Sequence, residues 1–262
     1  MIYHTPNGFT YDLFTDMLAQ AHLLIAGASG SGKSVLVNGL ICTALYDVPG
    51  EQAGDKQLIL IDPKRTELSP YRNLPHTLRY ASEPEDMVEA LHYALGLTEM
   101  RYREMEDKGW RTYKGGDIYV IIEEIADLLT TNRHAVQPLI QRLGQIARAA
   151  KIHLVLVTQC PLREILCTPI KVNMDGIVAL RTRCAQDSRN IIGVNGAEML
   201  PRYGECLYYT PGMLGVKHCK VPFIDEAEQN RLIDWWEKQN ELPERPVKNP
   251  NAKLFFDRYY GG

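Results

Sequence analysis

Short apolar runs alternate along this chain with longer segments in which apolar residues recur every three or four positions. The runs predict strands at residues 22–26 (HLLIA), 57–61 (QLILI), 118–122 (IYVII), 153–157 (HLVLV), 176–180 (GIVAL) and 205–209 (ECLYY). The first five are almost continuously apolar, which is typical of strands that helices cover on both faces. Strands that alternate with helices form βαβ crossovers, so the pattern predicts an α/β fold with a mainly parallel sheet.

Helical periodicity is clearest in three segments between and after these strands. The first covers residues 83–106, and Ser82 with Glu85 predicts a capping box at its start. The second covers residues 136–150, and the third begins at Asp225.

Composition narrows the class of protein without identifying it. Hydrophobic residues make up 45% and charged residues 23%, and 29 Lys and Arg stand against 32 Asp and Glu, a net charge of −3. These values are average for globular domains and exclude disordered, collagen-like and disulfide-scaffold proteins. The six cysteines show no C-x₂-C spacing, so we expect reduced thiols in a cytoplasmic protein. No apolar run approaches the roughly 18 residues of a membrane span, and the charge leaves room for only a local basic patch.

The strongest motif lies directly after the first predicted strand. Its residues match G-x-x-x-x-G-K-[ST] at every fixed position: Gly27, Ala28, Ser29, Gly30, Ser31, Gly32, Lys33 and Ser34, with Val35 continuing into a predicted helix. Glycines allow successive backbone N–H groups to face phosphate oxygens, and the N-terminus of the helix adds partial positive charge. The motif predicts an ATP site in which Lys33 reaches the β- and γ-phosphates and Ser34 binds Mg²⁺. The alternative is a flexible Gly/Ser loop.

Acidic and amide side chains follow two other predicted strands at their carboxyl ends, where ligands bind in open α/β sheets. Strand 118–122 ends in Glu123 and Glu124; we assign Glu123 to the Mg²⁺ ion and Glu124 to the attacking water. Gln159 follows strand 153–157, where a neutral amide can sense the γ-phosphate or position water. Asp117 precedes its strand and is excluded as a metal ligand. The alternatives are two exposed acids that begin a helix, and a simple loop hydrogen bond for the amide.

Several stretches together resemble the motor domain of the FtsK/SpoIIIE family of DNA translocases. They run in family order from about residue 20 to 225: HLLIAG through Lys33-Ser34, Ile61-Asp-Pro-Lys64, Glu67-Leu-Ser69, Leu74-Pro-His76, Glu124-Ile-Ala-Asp-Leu128, the segment 147–159, Asp187-Ser-Arg189, Gly204-Glu-Cys-Leu-Tyr208 and Pro211-Gly212. The resemblance implies a RecA-like P-loop NTPase at residues 21–240. It would follow a short N-terminal segment, 1–20, and precede an extended tail, 241–262.

The resemblance also implies an ATP-driven ring, usually hexameric, with double-stranded DNA in its central channel. Arg189 in the Asp-Ser-Arg stretch would be the arginine finger offered to a neighbouring subunit; a salt bridge to Asp187 or Glu198 is the alternative. The family usually has Asp-Glu where this chain has Glu123-Glu124, so its metal-binding acid is one methylene longer. The family's membrane-spanning region, winged-helix module and first motor subdomain have little or no counterpart in these residues, which predicts a trimmed motor without a membrane span.

Other basic residues and other functions stay open at this point. Asp62-Pro-Lys-Arg65 either connects the site to the channel or is turn chemistry, and Arg133, Arg163 and Lys171 are candidates for the channel. A conjugative coupling ATPase, a secretion-type ATPase that moves protein and a nucleotide-dependent scaffold remain alternatives to the DNA translocase.

Overall fold

The computed structural model describes residues 2–4, 10–45, 56–161, 168–221 and 223–238. The strands are β1 (Ile2–His4), β2 (Thr10–Asp12), β3 (His22–Ala26), β4 (Gln57–Ile61), β5 (Thr77–Ala81), β6 (Ile118–Ile122), β7 (Ile152–Thr158), β8 (Gly176–Ala179), β9 (Glu205–Tyr209) and β10 (Lys217–Lys220). The helices are α1 (Leu13–Ala19), α2 (Lys33–Leu45), α3 (Pro84–Lys108), α4 (Ile125–Ile146), α5 (Thr168–Lys171), α6 (Ala185–Ile192) and α7 (Glu226–Lys238).

One eight-stranded sheet organises these elements, in the order β10-β9-β8-β3-β7-β6-β4-β5. Every pair from β8 to β5 is parallel, and β9 and β10 extend the sheet as an antiparallel hairpin. The α/β prediction with a mainly parallel sheet is therefore confirmed. A separate two-stranded sheet pairs β1 with β2.

Two apolar layers cover the two faces of the large sheet, as the continuous apolar runs predict. Along β3, Leu24 and Ala26 pack into a layer with α3, α4 and α6, whereas Leu23 and Ile25 pack into the opposite layer with α1, α2 and α7. Successive side chains of a strand alternate between faces, so a strand covered on both sides must be apolar at nearly every position.

The two edges of the sheet contain strands that the pattern did not predict. β5, with the sequence TLRYA, is only partly buried, and β10, with the sequence KHCK, is mostly exposed. An edge strand has a neighbouring strand on one side only, so its side chains are less buried and can be polar. For this reason neither segment forms an apolar run.

Helix boundaries differ from prediction at two places. α3 begins at Pro84 with Glu83 as N-cap and no side-chain cap bond, so the predicted capping box is wrong; proline suits the first helical position because its missing N–H would be unpaired there. α4 begins at Ile125 rather than near residue 136. Asn132 interrupts it with φ −147° and ψ 57°, and this kink breaks the apolar periodicity between its two halves. Arg163 and the predicted tail, 241–262, lie outside the described residues.

Candidate nucleotide-binding site

The phosphate loop connects the end of β3 to the start of α2 and is shaped by its glycines. A Cβ atom on Gly27 would lie 2.7 Å from Ser31 Oγ and 2.8 Å from Leu180 Cβ, so no larger residue fits. Gly30 and Gly32 have φ values of 69° and 94°, which side chains disfavour. The loop is fixed to the neighbouring strand because the Ala28 N–H donates to the carbonyl of Arg181 at 2.8 Å.

Lys33 is the first residue of α2 and its side chain is directed back across the loop. Its Nζ donates to the carbonyls of Gly27, at 2.9 Å, and Ala28, at 3.0 Å, and only 8% of the residue is exposed. Burial lowers the pKa of Lys33, while the charges of Glu124 and Glu123 act in the opposite direction. These contributions place the ammonium group and the two predicted acids in one electrostatic neighbourhood.

Glu123 follows the last residue of β6, and its backbone N–H donates to the carbonyl of Ile61 at 2.9 Å. The residue is 7% exposed, and burial raises the pKa of its carboxyl to about 7. Among the described residues, its Oε2 has no hydrogen-bond partner. A buried carboxylate oxygen without a partner fits a cation ligand, because an uncompensated buried charge is otherwise costly.

Glu124 is held far more tightly than Glu123. Its carboxylate accepts hydrogen bonds from Thr158 Oγ1 at 2.7 Å and from the Gln159 N–H at 3.1 Å, and Lys64 Nζ lies 3.5 Å away. The residue is 2% exposed and adopts a left-handed conformation, φ 58° and ψ 69°, at the N-cap of α4. Residues without a glycine's freedom keep such a conformation only where the surroundings enforce it, and this occurs mostly at functional sites.

The order of the strands explains why these groups meet. The acidic pair does not follow the strand next to the phosphate loop: β7 lies between β3 and β6. Thr158, the last residue of β7, therefore stands between the loop and the glutamates, in position to hold Glu124.

Three residues around the glutamates differ in role from the prediction or were missed by it. Gln159 contributes its backbone N–H to Glu124, and its side-chain role stays a prediction. Thr158 and Lys64 were missed as partners of Glu124. Their signal was present in the sequence, since each stands at or just beyond the carboxyl end of a predicted strand.

The Asp62–Arg65 segment forms a turn beside the glutamates, and its connection to a channel stays a prediction. The Asp62 carboxylate is fully buried and accepts the Leu68 N–H at 3.0 Å, which is turn chemistry. Lys64 extends from the same turn to Glu124, and its Nζ also lies 3.8 Å from Asp127 Oδ2. The turn therefore positions the Lys64 ammonium group beside Glu124.

The remaining basic candidates lie outside this cluster. Arg189 is exposed on α6, where its guanidinium donates to Gln186 Oε1 at 2.9 Å and to Asn195 Oδ1. Within the described residues it forms no ion pair with Asp187 or Glu198, the alternative that the sequence left open. Lys171 donates to the carbonyl of Asn190 at 2.8 Å, which ties its ammonium group to the fold. The Asp117 carboxylate lies 2.9 Å from His153 Nε2, at the amino-terminal ends of the parallel strands and away from the phosphate loop, in agreement with its exclusion.

The fold and the site together define a P-loop ATPase of the α/β class. The sequence profile of the FtsK/SpoIIIE family matches residues 7–117, which include the phosphate loop. Proteins named DNA translocase FtsK are similar over most of the chain: that of Campylobacter jejuni is 36% identical over 242 residues, 87% of this chain and 25% of that protein. That of Lactiplantibacillus plantarum is 34% identical over 244 residues, 86% of this chain and 30% of that protein. The resemblance to the FtsK/SpoIIIE family is therefore confirmed over most of the chain, which spans about a quarter to a third of the length of these relatives.

Solved structures share the fold at low sequence identity. The conjugation coupling protein TcpA of pCW3 superposes with a TM-score of 0.74 at 18% identity, covering 90% of this chain and 70% of that one. The cytoplasmic domain of the type VII secretion ATPase EccC from Thermomonospora curvata gives 0.73 at 19% identity, covering 95% and 32%. At this identity, the likeness establishes the P-loop ATPase fold alone. Among the described helices, none is both long and apolar enough to cross a membrane.

Proposed function

We propose that this chain is the motor of an ATP-driven translocase that moves double-stranded DNA through the channel of a homo-oligomeric, hexameric ring. The observation that carries the proposal is the convergence of Lys33, Glu123 and Glu124 at a glycine-shaped phosphate loop, in a chain that resembles the FtsK/SpoIIIE family. RecA-like motor function is assigned to residues 21–240.

The residues present fit ATP with Mg²⁺. The loop from Gly27 to Val35 offers backbone N–H groups and the N-terminus of α2 to phosphate oxygens. Ser34 supplies a hydroxyl and Glu123 an unpartnered, buried carboxylate oxygen for the cation. No cluster of three or more metal-binding side chains occurs in the described ranges, which accords with Mg²⁺ held by one or two protein groups and phosphate. When bound, Mg²⁺ supplies positive charge that neutralises the phosphates.

Each protein group then has a distinct task in hydrolysis. Lys33 neutralises negative charge on the β- and γ-phosphates, and Glu124 orients the attacking water and accepts its proton. The Thr158 hydroxyl and the Gln159 N–H fix the direction of the Glu124 carboxylate, since each donates to it. Lys64 adds a cation 3.5 Å from that carboxylate and so contributes to holding it in place. Arg189 supplies charge to the site of the next subunit.

DNA is the proposed cargo because the similar full-length proteins are named DNA translocases. A motor must bind every step of its track about equally, so it should contact the phosphate backbone and not the base edges. With a net charge of −3, such contacts must come from a local basic surface that lines the channel.

The proposal is tested by the ATPase activity of the purified chain, with and without duplex DNA, on protein whose assembly state is measured in parallel. We expect duplex DNA to stimulate hydrolysis, and stimulation to fall steeply with salt because phosphate contacts release counterions. Lys33→Ala should remove hydrolysis and weaken nucleotide binding; a variant that keeps more than about a tenth of the turnover, a loss below ~1.4 kcal/mol, contradicts the site. Stronger stimulation by single strands would favour conjugative coupling, and none by either DNA would favour protein as cargo.

A further inference from the structure

An arginine from a distant part of the chain lies over the phosphate loop. A Cβ atom built on Gly30 would lie 3.4 Å from Arg202 Nη2 and 3.9 Å from its Nε, so the guanidinium is in contact range of the loop's exposed tip. Apart from the two adjoining residues, no other atom of the described residues lies within 4 Å of this Cβ position. A Cβ atom at position 30 would therefore make ordinary van der Waals contact with the guanidinium.

The sheet topology accounts for this approach. β9 runs antiparallel to β8, with Ala179 opposite Leu207, so the residues that precede β9 lie beside the carboxyl end of β8. That end is also where Arg181 binds Ala28 of the loop. A chain reversal at the edge of the parallel sheet thus brings residues 201–204 to the phosphate loop.

The guanidinium is oriented but not neutralised. Its Cζ lies 5.2 Å from the centre of the Tyr203 ring, in a cation–π arrangement. Within the described residues Arg202 makes no ion pair, although Asp and Glu outnumber Lys and Arg in this chain, 32 to 29. Lys33, by contrast, already donates to two carbonyls of the loop. The outer side of the loop therefore holds a positive charge with free donors.

We propose that Arg202 is a phosphate-binding residue of the same subunit, which closes the nucleotide site from the solvent side and donates to the phosphate oxygens. The inference rests on the proposed nucleotide site, and it assigns to this subunit a cation distinct from Arg189. A guanidinium suits the task because its planar set of donors matches phosphate geometry. Tyr203 acts as a positioning residue that holds the guanidinium over the loop.

The experiment measures equilibrium binding of ADP, ATPγS and inorganic tripolyphosphate to the full chain and its variants. Arg202→Gln should weaken all three by the same factor, about tenfold, the size expected for one charge-assisted hydrogen bond. Arg202→Lys should recover part of the loss, because it restores the charge without the paired donors. Arg148→Gln is the matched control: the side chain of Arg148 is 77% exposed and precedes the amino-terminal end of β7, whereas the phosphate loop follows the carboxyl end of the parallel β3. It should bind all three ligands as the unmodified chain does.

Two results would overturn the inference. One is an Arg202→Gln chain that binds every ligand as tightly as the Arg148→Gln control. The other is weaker binding of ADP and ATPγS with unchanged binding of tripolyphosphate, which would place Arg202 at the nucleoside. Lys33→Ala separates this inference from the site on which it rests: if it leaves binding intact, the nucleotide site itself is wrong and the inference falls with it. Thermal unfolding of each variant verifies that the chains are folded.

Discussion

Adjacent glutamates at the end of β6 have opposite surroundings. Glu124 has three donors within 3.5 Å of its carboxylate, whereas Glu123 is also buried but its Oε2 has no hydrogen-bond partner among the residues that the structure describes. A carboxylate that is fully engaged keeps a fixed direction, and one with a free oxygen can take a cation. This difference supports the assignment of the water to Glu124 and the cation to Glu123.

The two assignments predict separate phenotypes. Glu124→Gln should bind ATP with Mg²⁺ normally and hydrolyse it poorly, because the amide keeps the shape but cannot accept a proton. Glu123→Gln should raise the Mg²⁺ concentration needed for half-maximal hydrolysis. Steady-state ATPase assays over a Mg²⁺ titration, with nucleotide binding measured separately, distinguish the two. Glu123→Asp, the residue usual in the family, is the control and should keep equal or higher activity. Exchanged phenotypes would show that the assignments are reversed.

His22 shows how one buried residue connects stability to pH. The residue is 1% exposed within β3, its Nδ1 accepts the Leu154 N–H at 3.0 Å, and burial lowers its pKa from 6.5 to about 4. Between these values the unfolded chain takes up a proton that the folded chain does not. The free energy of unfolding is therefore at its full value above pH 6.5 and falls as the pH decreases towards 4.

We expect this single histidine to account for up to about 3 kcal/mol of stability lost between pH 6.5 and 4. Urea unfolding of the unmodified chain and of His22→Gln at several pH values measures it. The variant should be less stable at pH 7.5, where it loses a fitted side chain, but its stability should depend less on pH. Parallel pH profiles for the two chains would contradict the prediction.

At the scale of elements, close helix packing depends on a glycine that helix propensity alone would disfavour. Gly39 lies in the middle of α2, and a Cβ atom there would be 2.8 Å from Cε2 of the fully buried Phe14 on α1. Gly96 lies in the middle of α3, is exposed, and a Cβ atom there would meet nothing within 4 Å. The same substitution should therefore have opposite effects at the two positions.

Gly39→Ala should lower the free energy of unfolding, because overpacking costs about 1–3 kcal/mol and exceeds the gain in helix propensity. Gly96→Ala should raise it by about 0.5–1 kcal/mol, since only the propensity changes. Denaturant unfolding of the two variants beside the unmodified chain gives both values. Stabilisation by both substitutions would show that α1 moves away from α2 without cost.

At the scale of the whole molecule, the proposed ring makes hydrolysis depend on a neighbour. Arg189 is exposed on α6, and its guanidinium is held by two neutral amides, so its charge is not cancelled within the described part of the subunit. An arginine presented to another subunit's nucleotide raises turnover by about 10³–10⁵-fold in related systems. ATPase activity should accordingly rise more than linearly with protein concentration until rings form on DNA.

Mixed rings test this dependence directly. Arg189→Ala subunits keep an intact site and lack the finger, whereas Lys33→Ala subunits have the finger and a dead site. Each variant alone should assemble without hydrolysing ATP, and mixing should restore activity wherever an Arg189→Ala site faces a Lys33→Ala neighbour. Absence of rescue in rings shown to be mixed would exclude Arg189 as the finger. The next candidates are then Arg181 and Arg183, two exposed arginines that follow β8.

Local patterns in the sequence were sufficient for the central strands, the phosphate loop and the family. A strand buried on both faces must be apolar at almost every position, and a phosphate loop needs glycines at defined positions, so both leave a local signature. The same reasoning failed where local signals were weak. The edge strands β5 and β10 are polar, the kink at Asn132 divides one helix into two patterns, and Pro84 displaces the predicted cap.

The partners of the site, in contrast, were decided by tertiary structure. Lys64, Thr158 and Arg202 come from three different strand ends. The predicted strand ends mark Lys64 and Thr158 as candidates, but the local sequence does not show that they bind Glu124 or that Arg202 lies over Gly30. Their positions follow from strand order. β7 lies between β3 and β6, and the antiparallel β9 begins beside the carboxyl end of β8, near the phosphate loop. Strand order arises from packing across the whole sheet, a long-range property that no short stretch of sequence encodes. The sequence by itself therefore determined which chemistry the site contains, and the fold decided which side chains hold it in place.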